Sequence, residues 1–155
     1  MSTNGIEVFG TTIQVAHRWL KVVMSELGTN NRHEALAALR ASLHALRDRI
    51  GPENAVHFGA QLPMLLRGLY YEGWKPTATP TRERHLGDFL DRVQSMLERS
   101  HVDATDALCA SFDAVAEMMP PDEVLKVINL LPQELRVLWP MWLLEGSEIE
   151  SKPRP

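Results

Sequence analysis

Apolar residues recur along this chain at helical spacing. Ile13, Ala16, Leu20, Val23 and Leu27 follow at intervals of three and four, which sets them on one helix face. Thr11 with Gln14 has the form of a capping box, and Gly28 is a natural stop. Leu36, Leu39, Leu43, Leu46 and Ile50 repeat the interval, with Asn31 and Glu34 as start signal and Gly51 as stop. Pro52 falls where a first-turn proline costs little, because that N–H has no helical partner anyway. A short helix is predicted over residues 53–62, and Pro63 then forces a kink or a fresh helix. The next helix carries Met64, Leu65, Leu66, Leu69 and Tyr70, and Gly73 ends it. Residues 75–81 (KPTATPT) read as an extended connector.

After the connector the pattern restarts. Phe89, Leu90, Val93 and Leu97 match Trp19, Leu20, Val23 and Leu27 at a shift of 70. Leu108, Phe112 and Val115 match Leu39, Leu43 and Leu46 at a shift of 69, and Pro121 stands where Pro52 stood. Leu62-Pro63, Leu66-Arg67 and Leu69-Tyr70 align with Leu131-Pro132, Leu135-Arg136 and Leu138-Trp139. Ordered recurrence of proline, arginine and aromatic implies an internal duplication. One unit of three or four short helices has a marginal core, whereas two can bury their remaining apolar faces together. The expected fold is therefore all-α: a helical bundle of two tandem, structurally similar units packed as one domain. Residues 11–74 form unit one, 75–81 the connector and 82–143 unit two, with flexible ends at 1–10 and 144–155.

Composition narrows the function. The chain has 155 residues, 45% hydrophobic and 23% charged, the balance of one globular domain. Its net charge of −4 disfavours nucleic acid, for which Arg18, Lys21, Arg40 and Arg47 would be the contacts. The charge is uneven: residues 1–74 sum to +1 and residues 75–155 to −5, a difference able to orient a partner or a second copy. Cys109 is the only cysteine, so no internal disulfide or cysteine-rich zinc site can form. With no secretory or membrane-spanning signal, a cytoplasmic setting is expected, and no membrane partner.

Candidate chemistry is sparse. The six histidines form none of the common helical metal motifs, and the one-turn pairs His44 with Asp48 and Glu53 with His57 read as ion pairs. No metal site or cofactor is expected. Cys109 lies among apolar helix positions, where a thiol packs as a small inert hydrophobe. Neither a nucleophile elbow nor a phosphate loop is present. Arg40 and Arg47, with His44 between them, flank the leucine stripe; Arg67 and Arg136 recur beside the Leu-Pro breaks. Those two could bond the carbonyls that the prolines free, or anchor an anion. Tyr70, Tyr71 and Trp74 cluster after the first break, Trp139 and Trp142 after the second; such clusters serve as core or as docking anchors.

The runs NRHEALAALRASLHALRDRI (31–50), AQLPMLLRGLYYEGW (60–74) and LLPQELRVLW (130–139) resemble the bacterial domain-of-unknown-function family 2267, over roughly residues 10–143. That resemblance implies an all-helical, two-unit bacterial protein and no established reaction, cofactor or catalytic residue. The chain departs from a perfect repeat where Pro140-Met141-Trp142 replaces Tyr71-Glu72-Gly73. The expectation is a non-catalytic interaction or structural module, with a protein partner or self-association. Its contact residues would come from Arg40, His44, Arg47, Arg67, Tyr71, Trp74, Arg136 and Trp142. The alternative is a small-ligand binder or enzyme with a pocket between the units, at which His44 and the four arginines would converge.

Overall fold

A computed structural model describes residues 5–145, and among these there is no strand. The helices are α1 (Glu7–Leu27), α2 (Arg32–Ile50), α3 (Pro52–Gln61), α4 (Met64–Tyr71), α5 (Leu86–Met96), α6 (Ala104–Met118) and α7 (Pro121–Leu130). Short 3-10 helices cover Pro76–Ala78 and Gln133–Leu138.

Local chemistry sets most boundaries. Gly28 takes the left-handed conformation at φ 68°, and its N–H returns to the carbonyls of Met24 and Ser25. The Asn31 side chain accepts from the N–H groups of His33 and Glu34 at 2.9 and 3.4 Å. Glu34 does not complete the reciprocal box; its carboxylate accepts from the Thr29 hydroxyl at 2.9 Å. Gly51 turns the chain at φ 87°, and Pro52 opens α3. Pro63 produces a fresh helix rather than a kink, since it caps α4 in an extended conformation.

Four expectations need correction. α1 starts at Glu7, not at the Thr11 capping box, so Glu7–Gly10 are helical instead of part of a flexible end. Only Gly10 opposes the helix there, at a cost of about 1 kcal/mol. The connector is not extended throughout: it makes a 3-10 turn at Pro76–Ala78 and then returns, the Thr81 N–H reaching the Asp48 carbonyl at 2.8 Å. α5 begins only at Leu86. Pro140 breaks the last segment, because it lacks an N–H and drives Trp139 to an extended ψ of 154°. Residues 141–145 are helical, including Leu144 and Glu145 of the expected tail, whose remainder lies outside the described residues.

α2 and α6 cross through the centre. Ala38, Ala41, Ser42 and Ala45 on one, and Ala107, Ala110, Ser111 and Ala114 on the other, are all buried and let two helix backbones approach. α1 lies against α6 and α2, α5 packs on both central helices, and α3 meets α7. The buried apolar residues form one cluster that draws on all seven helices.

The α1 packing face is only in part the one expected. Trp19 and Val23 are its fully buried residues, whereas Ile13 is 51% exposed and Ala16 and Leu20 are half-buried. Glu26, on the same side as Trp19, meets Asp113 of α6. The helix thus carries two apolar faces that overlap at Val23, and the 3-4-3-4 stripe is buried there, half-buried at Ala16, Leu20 and Leu27, and open at Ile13.

Candidate functional site

Two features adjoin on α2, a polar ladder and an apolar groove. The ladder is Arg40, His44 and Arg47 along successive turns facing the end of α4. His44 Nε2 donates to the Leu69 carbonyl at 2.7 Å. Arg47 Nη1 donates to the carbonyls of Tyr70 and Glu72 at 2.8 and 2.9 Å, and its Nε donates to Asp48 at 2.8 Å. Arg40 Nε lies 3.1 Å from a Glu72 carboxylate oxygen, as an ion pair without hydrogen-bond alignment. The last carbonyls of a helix have no partner within it, and here α2 supplies the donors. Burial pushes the His44 imidazole below its ordinary pKa, so its neutral form fills this role.

Arg67 and Arg136 sit at separate corners and act alike. Arg67 donates to the carbonyls of Gly59, Ala60 and Leu62 at 2.9–3.1 Å. Arg136 donates to those of Leu131 and Asn129 at 3.1 and 3.4 Å. Each closes the carbonyls that its Leu-Pro break releases.

The expected pairing of His44 with Asp48 is not made, and sequence reasoning missed the cations that Asp48 meets instead. Asp48 is buried against Arg47 and lies 3.4 Å from Arg92, which pairs in turn with Glu83. Arg49 Nε donates to the Glu83 carbonyl at 2.8 Å. This network ties α5 and the segment before it to the end of α2. Its members stand far apart in the chain, and the only local signal was an Arg-Asp-Arg run ending a leucine-rich helix.

The aromatics divide. Phe58, Tyr70, Tyr71 and Trp74 form a chain of rings with centroids 5.7, 5.0 and 5.4 Å apart. Tyr70 is fully buried and donates to the Ala55 carbonyl at 2.8 Å, and burial raises its phenol pKa. Tyr71 and Trp74 are half-buried beside it. Trp139 stacks on Phe112 at 4.1 Å, while Trp142 is 57% exposed and takes no part in a buried cluster.

The groove runs between α1, α2 and α4, with a volume of about 480 Å³. Ile13 and Leu20 of α1, Leu36 of α2, and Leu65 and Leu69 of α4 line it, and Arg40 and Glu72 form part of its wall. A second cavity of about 370 Å³ lies between α2 and the end of α5, where Arg40 and His44 meet Arg99, Ser95 and Ser100. Arg47, Arg67 and Arg136 reach neither, so the five polar candidates do not converge.

Among the described residues no group of three or more His, Cys, Asp or Glu side chains could hold a metal ion. Burial and three nearby aspartates push the Cys109 thiol upward, which disfavours its nucleophilic thiolate. No helix of the described residues is long and apolar enough to cross a membrane. The model of the uncharacterized conserved protein family DUF2267 matches residues 16–138. The chain belongs to this family. No curated protein matches it. Every ladder residue and both corner arginines fall within the matched span of this DUF2267 chain.

Proposed function

We propose that this DUF2267 chain is a non-catalytic interaction module, two tandem helical units joined as one scaffold, which docks an apolar helical surface in the α1/α2/α4 groove. The tandem reading is supported by the match of α2 and α6 at a constant shift of 69: Leu39 with Leu108, Ser42 with Ser111, and Ala45 with Ala114 are all buried. A bacterial, cytoplasmic setting accords with the family resemblance and the lone cysteine.

One observation carries the docking reading. The donors that looked suited to chemistry are spent on the fold's own carbonyls and carboxylates, while the N-terminal part of the α1 apolar stripe stays open at Ile6, Phe9 and Ile13. Selection of amphipathic helical peptides against the chain tests it. Binding should be lost in Leu65→Glu, at a half-exposed groove position, and kept in Val137→Glu, at an exposed position outside the groove. If selection returns only peptides indifferent to Leu65, the docking reading fails.

A second reading has one observation in its favour. The smaller cavity brings Arg40, His44 and Arg99 together and could take a small anion. Inorganic phosphate should then raise the melting temperature of the wild-type chain and not that of Arg99→Ala.

A further inference from the structure

Resting on the docking reading, we infer that the groove takes the same segment of a second copy. The first turns of α1, carrying Ile6 and Phe9, lie in the partner's groove, and the partner's lie in this one. A contact of this kind is reciprocal and closes at two chains.

The α1 stripe is the first ground. Ile6, Phe9 and Ile13 are 61, 58 and 51% exposed and share the helix face of Ala16 and Leu20, which line the groove. Apolar surface therefore continues from the groove onto the overhanging turns of α1. The other apolar face of α1, through Trp19 and Val23, is already spent on the body.

Comparison with α5 is the second ground. α5 starts at Leu86, the position matching Ala16, and so lacks the overhang. Its start is closed from within: Glu134 accepts from the Leu86 N–H at 3.0 Å and lies 3.2 Å from His85. The open groove and the overhang occur together, on the same side of the molecule.

Charge and area select a second copy and limit its strength. Residues 1–74 sum to +1 and the rest to −5, so two copies meeting through their near-neutral first halves avoid the repulsion that opposes contact between the acidic second halves. Ile6, Phe9, Ile13, Met64 and Leu65 expose on the order of 500 Å² of apolar surface per copy, or about 1,000 Å² in a pair. That is the lower edge of a specific interface and implies a weak, reversible dimer.

Sedimentation of the full chain from about 1 µM to about 1 mM tests this. The mass should rise from one chain to two. Phe9→Glu and Leu65→Glu should each weaken association by about tenfold or more with helix content unchanged by circular dichroism, and Val137→Glu should leave it alone. A monomer throughout, or a dimer indifferent to Phe9→Glu, overturns the inference. If the monomer still captures selected peptides through Leu65, only the second copy is wrong; if it captures none, the docking reading falls with it.

Discussion

The corner after α3 and the corner after α7 start alike and end differently. Both helices run ten residues from a proline, stop before Leu-Pro and have their last carbonyls gathered by an arginine. After the first corner the chain makes a true α-helix, α4, and His44 and Arg47 reach across from α2 to its terminal carbonyls. In the register proposed above, α6 offers Asp113 and Ala116 at those places, neither of them able to donate as His44 and Arg47 do. There the chain winds as the tighter 3-10 helix Gln133–Leu138, whose shorter bonding leaves fewer carbonyls open, and Pro140 ends it. The second corner has the apolar stacking of Trp139 on Phe112 in place of the polar ladder that latches α4. A helix that ends against a core needs donors from outside, and where none exist the backbone changes its winding.

The sharpest way to break this comparison is to remove the latch. Arg47→Met keeps the stem and deletes the fork, leaving the carbonyls of Tyr70 and Glu72 unpaired and Asp48 without its closest cation. Loss of one partner of a buried pair costs about 3–5 kcal/mol, to be read from urea unfolding at neutral pH. A cost below about 1 kcal/mol would show that α4 does not depend on donors from α2.

A smaller effect is expected at Gly59. A Cβ there would stand 2.6 Å from the Tyr71 ring carbon Cζ and 2.9 Å from Tyr70 Cε1. The position 69 residues later is Ile128, which is buried, and Pro140 replaces Tyr71. A ring fills the space over Gly59, whereas Ile128 carries a buried aliphatic side chain of its own. Gly59→Ala should cost about 2 kcal/mol, and less in a Tyr71→Ala background, where only the Tyr70 contact remains. Additive costs would show that the Tyr71 ring is not what opposes the Cβ.

The features legible in the sequence are those set by near neighbours. Asn31, Gly28, Gly51-Pro52 and Pro63 act within four residues of themselves, and the structure uses each as read. The Arg67 and Arg136 bonds were legible too, because the carbonyls freed by a proline lie just upstream of each. The seat of α1 was not. Two apolar faces overlap on that helix at Val23; the more regular stripe opens toward its N-terminal end at Ile13, while Trp19, which lies off the stripe, is fully buried. Nor was the latch, since its donors and acceptors lie 23 to 25 residues apart and the match at Asp113 and Ala116 is lost. A constant small-residue match at shift 69 along α2 and α6 was present in the sequence and would have located the central crossing.

The two corner arginines sharpen the comparison at lower cost. Arg67 makes three bonds to carbonyls that are partly open to solvent, and Arg136 makes two longer ones. Water can replace much of each set, so Arg67→Ala should cost about 1–2 kcal/mol and Arg136→Ala about half that in urea unfolding. Lysine should not restore Arg67, because its single ammonium cannot span three carbonyls. Equal losses at both corners would mean that bond number is not what separates them.

The smallest effect concerns His44 and Asp113, which occupy matching positions and titrate in opposite senses. Burial and the neighbouring carboxyls of Glu26 and Glu117 push Asp113 up to about 6 from its ordinary 3.8. The folded state then holds a proton that the unfolded state has released, so this contribution is full below pH 3.8 and is lost as pH rises to about 6. His44 is depressed below 6.5, so its contribution is full above that value and is lost as pH falls through it. Asp113→Asn should therefore stabilise the chain by about 1 kcal/mol near pH 7.5, discounted for solvent screening of a half-exposed group, and by nothing near pH 4. His44→Gln keeps a donor for Leu69 and should flatten the acid side of the stability curve while changing neutral stability by less than about 1 kcal/mol. Urea unfolding across that range separates the two, because removing one should tilt the curve one way and removing the other should tilt it back. Parallel shifts at every pH would show that neither group titrates differently on folding.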